Sequence, residues 1–457
     1  MYLRDLIKLR HIIFLLFFIT ISSSEQLISP SESKINYYGR IDFSDEEKPE
    51  FCWSGVIIEA NFTGSVVGMK IDHQNAYYDV VIDDFIDTII KITSDDEYIF
   101  ASNLSESIHT VRIKLRSEEH STTGSFQGLI IDDNQELKEP PPKPLRKIEF
   151  IGDSYTAGYG IESPDRECDP EQLNRYTNVN VTFAGKVTES FHAQSIILGW
   201  SGSGLVKNYN TQTTQKRSPD PFPYYYGRLL GASDNKEWNF SSWIPQLVVI
   251  CLGTNDYTHN RNPQTNPPPD DSMFIGDYHR FIDRIKTNYP DASVICMSTG
   301  NETFEKNVKE VVSQQHTIYN NPNVYFAPYP TSLTNTGCDW HPSVEDNEKV
   351  ARILIDTIMV KMGWDTTGAT KTKHLSLKNN LNGSNFSVTH FLNAIELKNQ
   401  FTFRETLVYS LLSLDGKIIM RKKADKNGIC FFPITSAYKG VFVVGNHQLG
   451  WEKVLIK

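Results

Sequence analysis

Ser154 follows the apolar run Ile148-Glu149-Phe150-Ile151 in the turn Gly152-Asp153-Ser154. Chemistry in open α/β sheets sits at the carboxyl ends of strands, so a hydroxyl presented there is a candidate nucleophile. Farther along, Trp200-Ser201-Gly202-Ser203-Gly204 closely follows the apolar run 195–198, where glycines let backbone N–H groups approach a developing oxyanion. Gly202 is the favoured donor of the two. Gly253-Thr254-Asn255-Asp256 closes the run 248–252, and the Asn255 amide is a second group able to hold a tetrahedral oxyanion. Finally, His341 lies in Cys338-Asp339-Trp340-His341-Pro342-Ser343, just ahead of a helical pattern opened by a Ser343/Asp346 capping box. An imidazole titrates near neutrality, so it can take a serine proton and return it to a leaving alcohol. Taken singly, each block reads as turn or cap residues; the four together spell acyl transfer.

These residues need a scaffold, and the pattern from Lys147 onward supplies one. Apolar runs at 148–151, 195–198, 247–252, 293–297 and 324–326 alternate with helix-length segments, including helical patterns at 183–191 and 278–287. Buried strands alternating with helices predict a parallel sheet covered on both faces. The Pro-, Asn- and Tyr-rich stretch 206–226 reads as a long loop near the strand ends.

Elsewhere the pattern changes. Residues 25–138 carry short strand-like runs at 51–58, 65–71, 77–82 and 110–115, the signature of an antiparallel sandwich. A proline-rich stretch at 139–146 reads as a stiff connector to the α/β domain at 147–364. After a Thr-, Gly- and Lys-rich linker at 365–373, residues 376–457 read as a small all-β domain with a hairpin turn at Asp415-Gly416. Residues 1–24 have the layout of a signal peptide: Arg4, Lys8 and Arg10, an apolar run of ten from Ile12 to Ile21, then serines. That run is well short of the roughly 20 residues that span a bilayer, and a secreted or cell-surface protein without a membrane span after cleavage is expected.

With 457 residues the chain exceeds a single core. A net charge of -10 argues against nucleic acid, which needs clustered Lys and Arg. Cys251 and Cys296 lie in apolar runs and read as core. Cys168 and Cys338 fall in loops near the proposed site, which leaves a bridge between them open. No Cys or His spacing matches a metal cluster.

The four blocks, in this order, resemble the SGNH (GDSL-like) hydrolase superfamily. With the N-terminal sandwich the chain most resembles carbohydrate esterase family 2. The similarity covers roughly residues 35–360, including Phe126-Gln127-Gly128, the strand Arg146-Lys147-Ile148-Glu149-Phe150 and the run Gly204-Leu205-Val206-Lys207-Asn208-Tyr209. It implies a flavodoxin-like three-layer α/β/α domain preceded by a jelly-roll-like sandwich. It implies Ser154 as nucleophile, His341 as base, and the Ser154 N–H, the Gly202 N–H and the Asn255 side chain as oxyanion donors. Many superfamily members carry an aspartate three residues before the histidine, where this chain has Cys338. The family therefore implies a Ser–His dyad with a backbone carbonyl in the orienting role. Asp339 reads as a helper through its main chain, and Asp153 as a structural residue that shapes the turn. No metal or other cofactor is implied.

The implied substrates are acetylated plant cell-wall polysaccharides or oligosaccharides of the xylan or glucomannan type, from which acetyl groups are removed. Tyr209 and Trp340 stand beside catalytic blocks and could serve as sugar platforms or as packing residues. The C-terminal region resembles the sorting domain of type IX secretion substrates through Leu414-Asp415-Gly416-Lys417, Lys439-Gly440-Val441-Phe442-Val443 and the terminal run 453–457. It implies a type IX secretion apparatus as partner. Two rival readings remain: a glycan-binding protein that kept the fold without turnover, and a lipase or thioesterase of the same superfamily.

Overall fold

The computed structural model describes residues 24–366 apart from 84–85, 119–121, 170–171, 210, 212–216, 233–235 and 259–266, together with seven strands between Phe386 and Ile456. The expected signal peptide, most of the 365–373 linker and the Asp415-Gly416 turn lie outside the described residues.

The N-terminal part folds as two antiparallel sheets packed face to face. One is built around Gly124–Asp132 and Val67–Asp72, the other around Ile57–Thr63, Ile108–Leu115 and Tyr77–Ile82. Alternation explains the packing: Val111, Ile113 and Leu115 are buried while Arg112 and Lys114 between them are not. Phe51, Phe62, Met69, Tyr78 and Phe126 fill the space between the sheets. The apolar run expected as one strand over 51–58 is in fact a crossing. Glu50–Phe51 pairs with the start of the Gly124–Asp132 strand, whereas Ile57 begins a strand of the opposite sheet. Between them Trp53 leaves the sandwich altogether: its indole donates to the Leu229 carbonyl at 3.0 Å and meets Trp200 and Phe222 edge-on.

The second part is a five-stranded parallel sheet of Arg146–Gly152, Ala193–Gly199, Leu247–Cys251, Ser293–Met297 and Val324–Ala327; numbered along the chain, their order is 2-1-3-4-5. This is the flavodoxin-like order. Phe183–Ser190 and Val344–Met362 cover one face, against Phe150, Val249 and Ile295, while Asp271–Asn288 and Glu302–Thr317 cover the other, against Ile151, Val248 and Val294. With helices on both faces the central strands have no wet side, which is why Leu247–Cys251 is apolar throughout. The second helix starts at Asp271, earlier than the expected 278. Within the expected loop 206–226, one short helical turn forms at Phe222–Tyr225.

Sandwich and sheet are joined through ions that neither could bury alone. Arg40 of the sandwich is fully buried, donating to Glu149 at 3.1 Å and to the carbonyls of Tyr226 and Arg228 at 2.7 and 2.9 Å. Glu149, in the first strand of the parallel sheet, also accepts from the Tyr226 hydroxyl at 2.8 Å. A second buried arginine, Arg116, bridges Asp79 of the sandwich to Glu162 beyond the first strand. Removing one partner of such a pair leaves an uncompensated charge and costs about 3–5 kcal/mol.

The C-terminal strands form two antiparallel sheets. Phe386–His390, Ala394–Asn399 and Ile429–Pro433 make one; Ile418–Lys423, Val408–Ser413, Gly440–Asn446 and Gly450–Ile456 make the other. The first strand of the larger sheet along the chain, Val408–Ser413, ends just ahead of the expected Asp415-Gly416 turn.

Candidate active site

Gly152 ends the first strand of the parallel sheet where a side chain has no room: a Cβ there would lie 2.1 Å from the Thr156 hydroxyl and 2.6 Å from the Cys251 carbonyl. The chain then turns into a short helix, Ser154–Ala157, whose cap Asp153 accepts the Tyr155 N–H at 3.1 Å. Burial pushes the Asp153 carboxyl up to about 7, and the nearby Asp256 charge adds to the effect. Ser154 thereby becomes the first helical residue, with its hydroxyl held at the carboxyl end of the sheet.

His341 reaches it from the far side. The capping box expected from sequence is present, with Asp346 N–H donating to the Ser343 hydroxyl and Ser343 N–H donating back to the Asp346 carboxylate, each at 3.2 Å. That carboxylate also collects Thr334 and Asn335 N–H groups at 2.9 and 2.8 Å, so the loop before the helix is anchored at two points. From it the imidazole Nε2 lies 2.8 Å from Ser154 Oγ, and Nδ1 lies 2.8 Å from the Cys338 carbonyl. A carbonyl only accepts, so the proton sits on Nδ1 and Nε2 is left to accept the serine hydroxyl. Burial holds the His341 pKa below its ordinary 6.5, against the pull of that carbonyl and of Asp339. Tyr159 and Tyr155 shelter the ring, with centroids 4.6 and 5.5 Å away.

The acceptor carbonyl is itself fixed. Cys338 is disulfide-bonded to Cys168, and its N–H donates to the Gly160 carbonyl at 3.1 Å. Gly160 must be glycine, because a Cβ there would lie 2.2 Å from that of Cys338 and φ is +54°. The next two residues, Asp339 and Trp340, both take the left-handed region, with φ of 48° and 65°. Such a pair of non-glycine residues is uncommon and strained, and it folds the loop back so that the carbonyl faces the ring. Asp339 does not place its carboxylate on Nδ1; it accepts the Tyr159 hydroxyl at 2.9 Å.

Opposite the dyad, Gly202 has φ of +78°, a conformation that glycine adopts without strain. Asn255 donates from Nδ2 to the Ser203 carbonyl at 2.8 Å, tying its amide to the same loop. The buried Asp256 carboxylate gathers the N–H groups of Leu205, Val206 and Lys207 at 2.7, 2.9 and 2.7 Å. All seven residues singled out in the sequence, Ser154, Gly202, Tyr209, Asn255, Asp339, Trp340 and His341, line one cleft of about 910 Å3. Tyr209 and Trp340 are 42% and 64% exposed, and the Arg166 guanidinium sits 3.7 Å from the centre of the Trp340 ring. Sequence reasoning passed over Asp256, Tyr159, Arg166 and Glu118. Asp256 alone carried a signal, since it stands next to Asn255. Among the described residues no group of three or more His, Cys, Asp or Glu is placed to hold a metal ion, and no helix is long and apolar enough to cross a membrane.

A hydroxyl hydrogen-bonded to a neutral imidazole, facing an amide and a left-handed glycine across a cleft, can perform nucleophilic acyl transfer. Two family models match the chain: one described as carbohydrate esterase 2 N-terminal over residues 37–141, the other as the GDSL-like lipase/acylhydrolase family over residues 150–351. An acetylxylan esterase / glucomannan deacetylase of Cellvibrio japonicus is 31% identical over 320 residues, which cover 68% of this chain and 86% of that protein. The cellulase/esterase CelE of Acetivibrio thermocellus is 32% identical over 359 residues, 75% of this chain and 41% of that much longer one. A family two carbohydrate esterase from Clostridium thermocellum, solved in complex with cellohexaose, superposes with a TM-score of 0.64 at 29% identity, covering 72% of this chain and 99% of that one. Matched from the sandwich through the parallel sheet, and 31% identical to an esterase of which it covers 86%, the chain belongs to carbohydrate esterase family 2.

Proposed function

We propose that this enzyme removes O-acetyl groups from plant cell-wall polysaccharide of the xylan or glucomannan type, through an acyl-enzyme on Ser154. The observation that carries the mechanism is the 2.8 Å contact between Ser154 Oγ and His341 Nε2, with the opposite ring nitrogen committed to the Cys338 carbonyl. His341 takes the hydroxyl proton as Ser154 Oγ bonds to the acetyl carbon. The carbonyl oxygen becomes an oxyanion held by the Ser154 and Gly202 N–H groups and the Asn255 amide. Collapse breaks the ester bond, and the sugar oxygen leaves with the proton from His341. A water molecule, deprotonated by the same nitrogen, then attacks the acetyl-serine, releasing acetate and restoring the hydroxyl.

The substrate class rests on the names of the relatives, acetylxylan esterase / glucomannan deacetylase, and on the cellohexaose-bound neighbour. Exposed aromatic faces at Tyr209 and Trp340 suit the apolar faces of sugars. We further propose that the enzyme works outside the cell, on the strength of the 1–24 leader pattern, and that the C-terminal β region directs it to a type IX exporter. Acetate release from acetylated xylan and acetylated glucomannan, wild type against Ser154→Ala, tests the activity; equal release by both proteins overturns it. Binding to the polymers without any acetate release selects the glycan-binding reading instead.

A further inference from the structure

The loop that carries Gly202 is gripped from outside its own domain. Glu118 lies just past the sandwich strand Ile108–Leu115 and stands two residues beyond Arg116, the buried arginine that docks the sandwich on Glu162. Its carboxylate receives the Ser201 N–H at 2.6 Å and, from the other oxygen, the Ser201 hydroxyl. Both oxygens accept from the same residue, the one immediately before Gly202. Charge-assisted bonds of this bidentate kind fix direction as well as distance.

Tyr209 N–H donates to the Gly202 carbonyl at 2.7 Å, and the same short loop is tied at other points. Trp200 N–H donates to the Gly152 carbonyl at 3.1 Å, tying the loop to the strand that delivers Ser154, and Asn255 donates to the Ser203 carbonyl at 2.8 Å. Glu118 holds the preceding peptide, Trp200–Ser201, and the Ser201 side chain, so the Gly202 N–H lies between that clamp and the Tyr209 contact. On the side where a Cβ would stand, Gly202 meets nothing nearer than Tyr209 at 3.9 Å, so packing does not hold that face. The negative charge of Glu118 is also felt at the His341 ring, which places it close to the reacting groups.

We propose that Glu118 is a positioning residue for the reaction: by clamping Ser201 it aims the Gly202 N–H at the oxyanion, so the N-terminal sandwich completes the esterase site. The inference rests on the acyl-enzyme reading above. Glu118 touches no reacting atom. Its effect is on the transition state, where a donor displaced by about 1 Å costs roughly a hundredfold.

The test uses the full chain and an aryl acetate, whose small leaving group makes no demand on sugar subsites. Glu118→Ala is expected to lower kcat roughly tenfold to hundredfold with KM within about twofold. Glu118→Gln keeps a carbonyl to accept the Ser201 N–H and an amide to meet the hydroxyl, and is expected to restore kcat to within about threefold of wild type. Ser201→Ala removes only the hydroxyl bond and is expected to lower kcat a few-fold. Combined with Glu118→Ala it should add almost nothing, because both changes release the same clamp. Unchanged kcat in Glu118→Ala overturns the proposal, as do a loss confined to KM, additive effects in the double variant, or a Gln variant as poor as Ala. Should Glu118→Ala fail to fold, Ser201→Ala decides: a few-fold loss in kcat supports the proposal, and an unchanged kcat overturns it. If Ser154→Ala hydrolyses the aryl acetate as fast as wild type, the acyl-enzyme reading itself has failed, an outcome separate from a dispensable Glu118.

Discussion

His341 donates its Nδ1 proton to the main-chain carbonyl of Cys338 at 2.8 Å, so the group that orients the base is uncharged. A carboxylate in that place would titrate and would stabilise the imidazolium by a full charge; a carbonyl does neither. The base therefore owes its tautomer to a peptide group, and its affinity for protons mainly to burial.

The pH profile follows from this. Only the neutral imidazole accepts the Ser154 proton, and burial keeps the His341 pKa below 6.5. On an aryl acetate, kcat/KM should rise with pH through one ionisation centred below 6.5 and stay level above it. A midpoint above that value, or a second ionisation on the acid limb, contradicts the assignment of His341 as sole base.

Asn255 offers a test of the oxyanion site that leaves the dyad intact. Its Nδ2 is anchored on Ser203 and faces the cleft that holds Ser154. Replacing it with alanine should lower kcat about 10²- to 10³-fold with little change in KM. A defect expressed mainly in KM would move Asn255 from the transition state to substrate binding.

The disulfide should matter to rate as well as to stability. Cys168 and Cys338 are 170 residues apart in sequence, and the bond pins the residue whose carbonyl orients His341. Cys168→Ser is expected to cost about 2–4 kcal/mol in urea unfolding and to lower kcat in the remaining folded protein. Full kcat in a demonstrably reduced enzyme would show that the Gly160 hydrogen bond to Cys338 is sufficient on its own.

Asp153 yields a prediction about folding. Its ordinary carboxyl pKa of 3.8 is raised to about 7 in the native state, chiefly by burial. Between those values the folded protein holds a proton that the unfolded chain has lost, so stability falls as pH rises, by at most about 1.4 kcal/mol per pH unit. Chemical denaturation across pH 4–7 should show this slope in wild type and a shallower one in Asp153→Asn. Parallel curves would mean that Asp153 is ionised in the folded enzyme.

Much of this was legible in the sequence because the relevant signals are local. Strands buried on both faces read as apolar runs, and each catalytic block lies directly after such a run, so Ser154, Gly202 and Asn255 could be placed from neighbours alone. The Ser343/Asp346 box fixed where the last helix begins and thus where His341 must stand. What stayed hidden is what depends on residues distant in sequence. Glu118 lies 83 positions from Ser201 and looks like any solvated acid. The Cys168–Cys338 bond needed coordinates because two loop cysteines carry no mark of pairing. The break in the run 51–58 was missed for a related reason: Trp53 is apolar like its neighbours, yet its burial is against the other domain. Asp339 was expected to act through its main chain, and the left-handed backbone at Asp339 and Trp340 that turns the Cys338 carbonyl toward the ring has no signature in residue type.

The ion pair of Arg40 with Glu149 bears on how such proteins can be inherited. Each module keeps one half of it, fully enclosed, so an exon or gene fragment encoding either module alone would produce a core with an orphan charge. Recombination can append or remove whatever lies beyond residue 366 without touching that pair, but a cut between sandwich and sheet is penalised at once. Selection should therefore preserve the two as a single cassette, however freely their outer partners are exchanged.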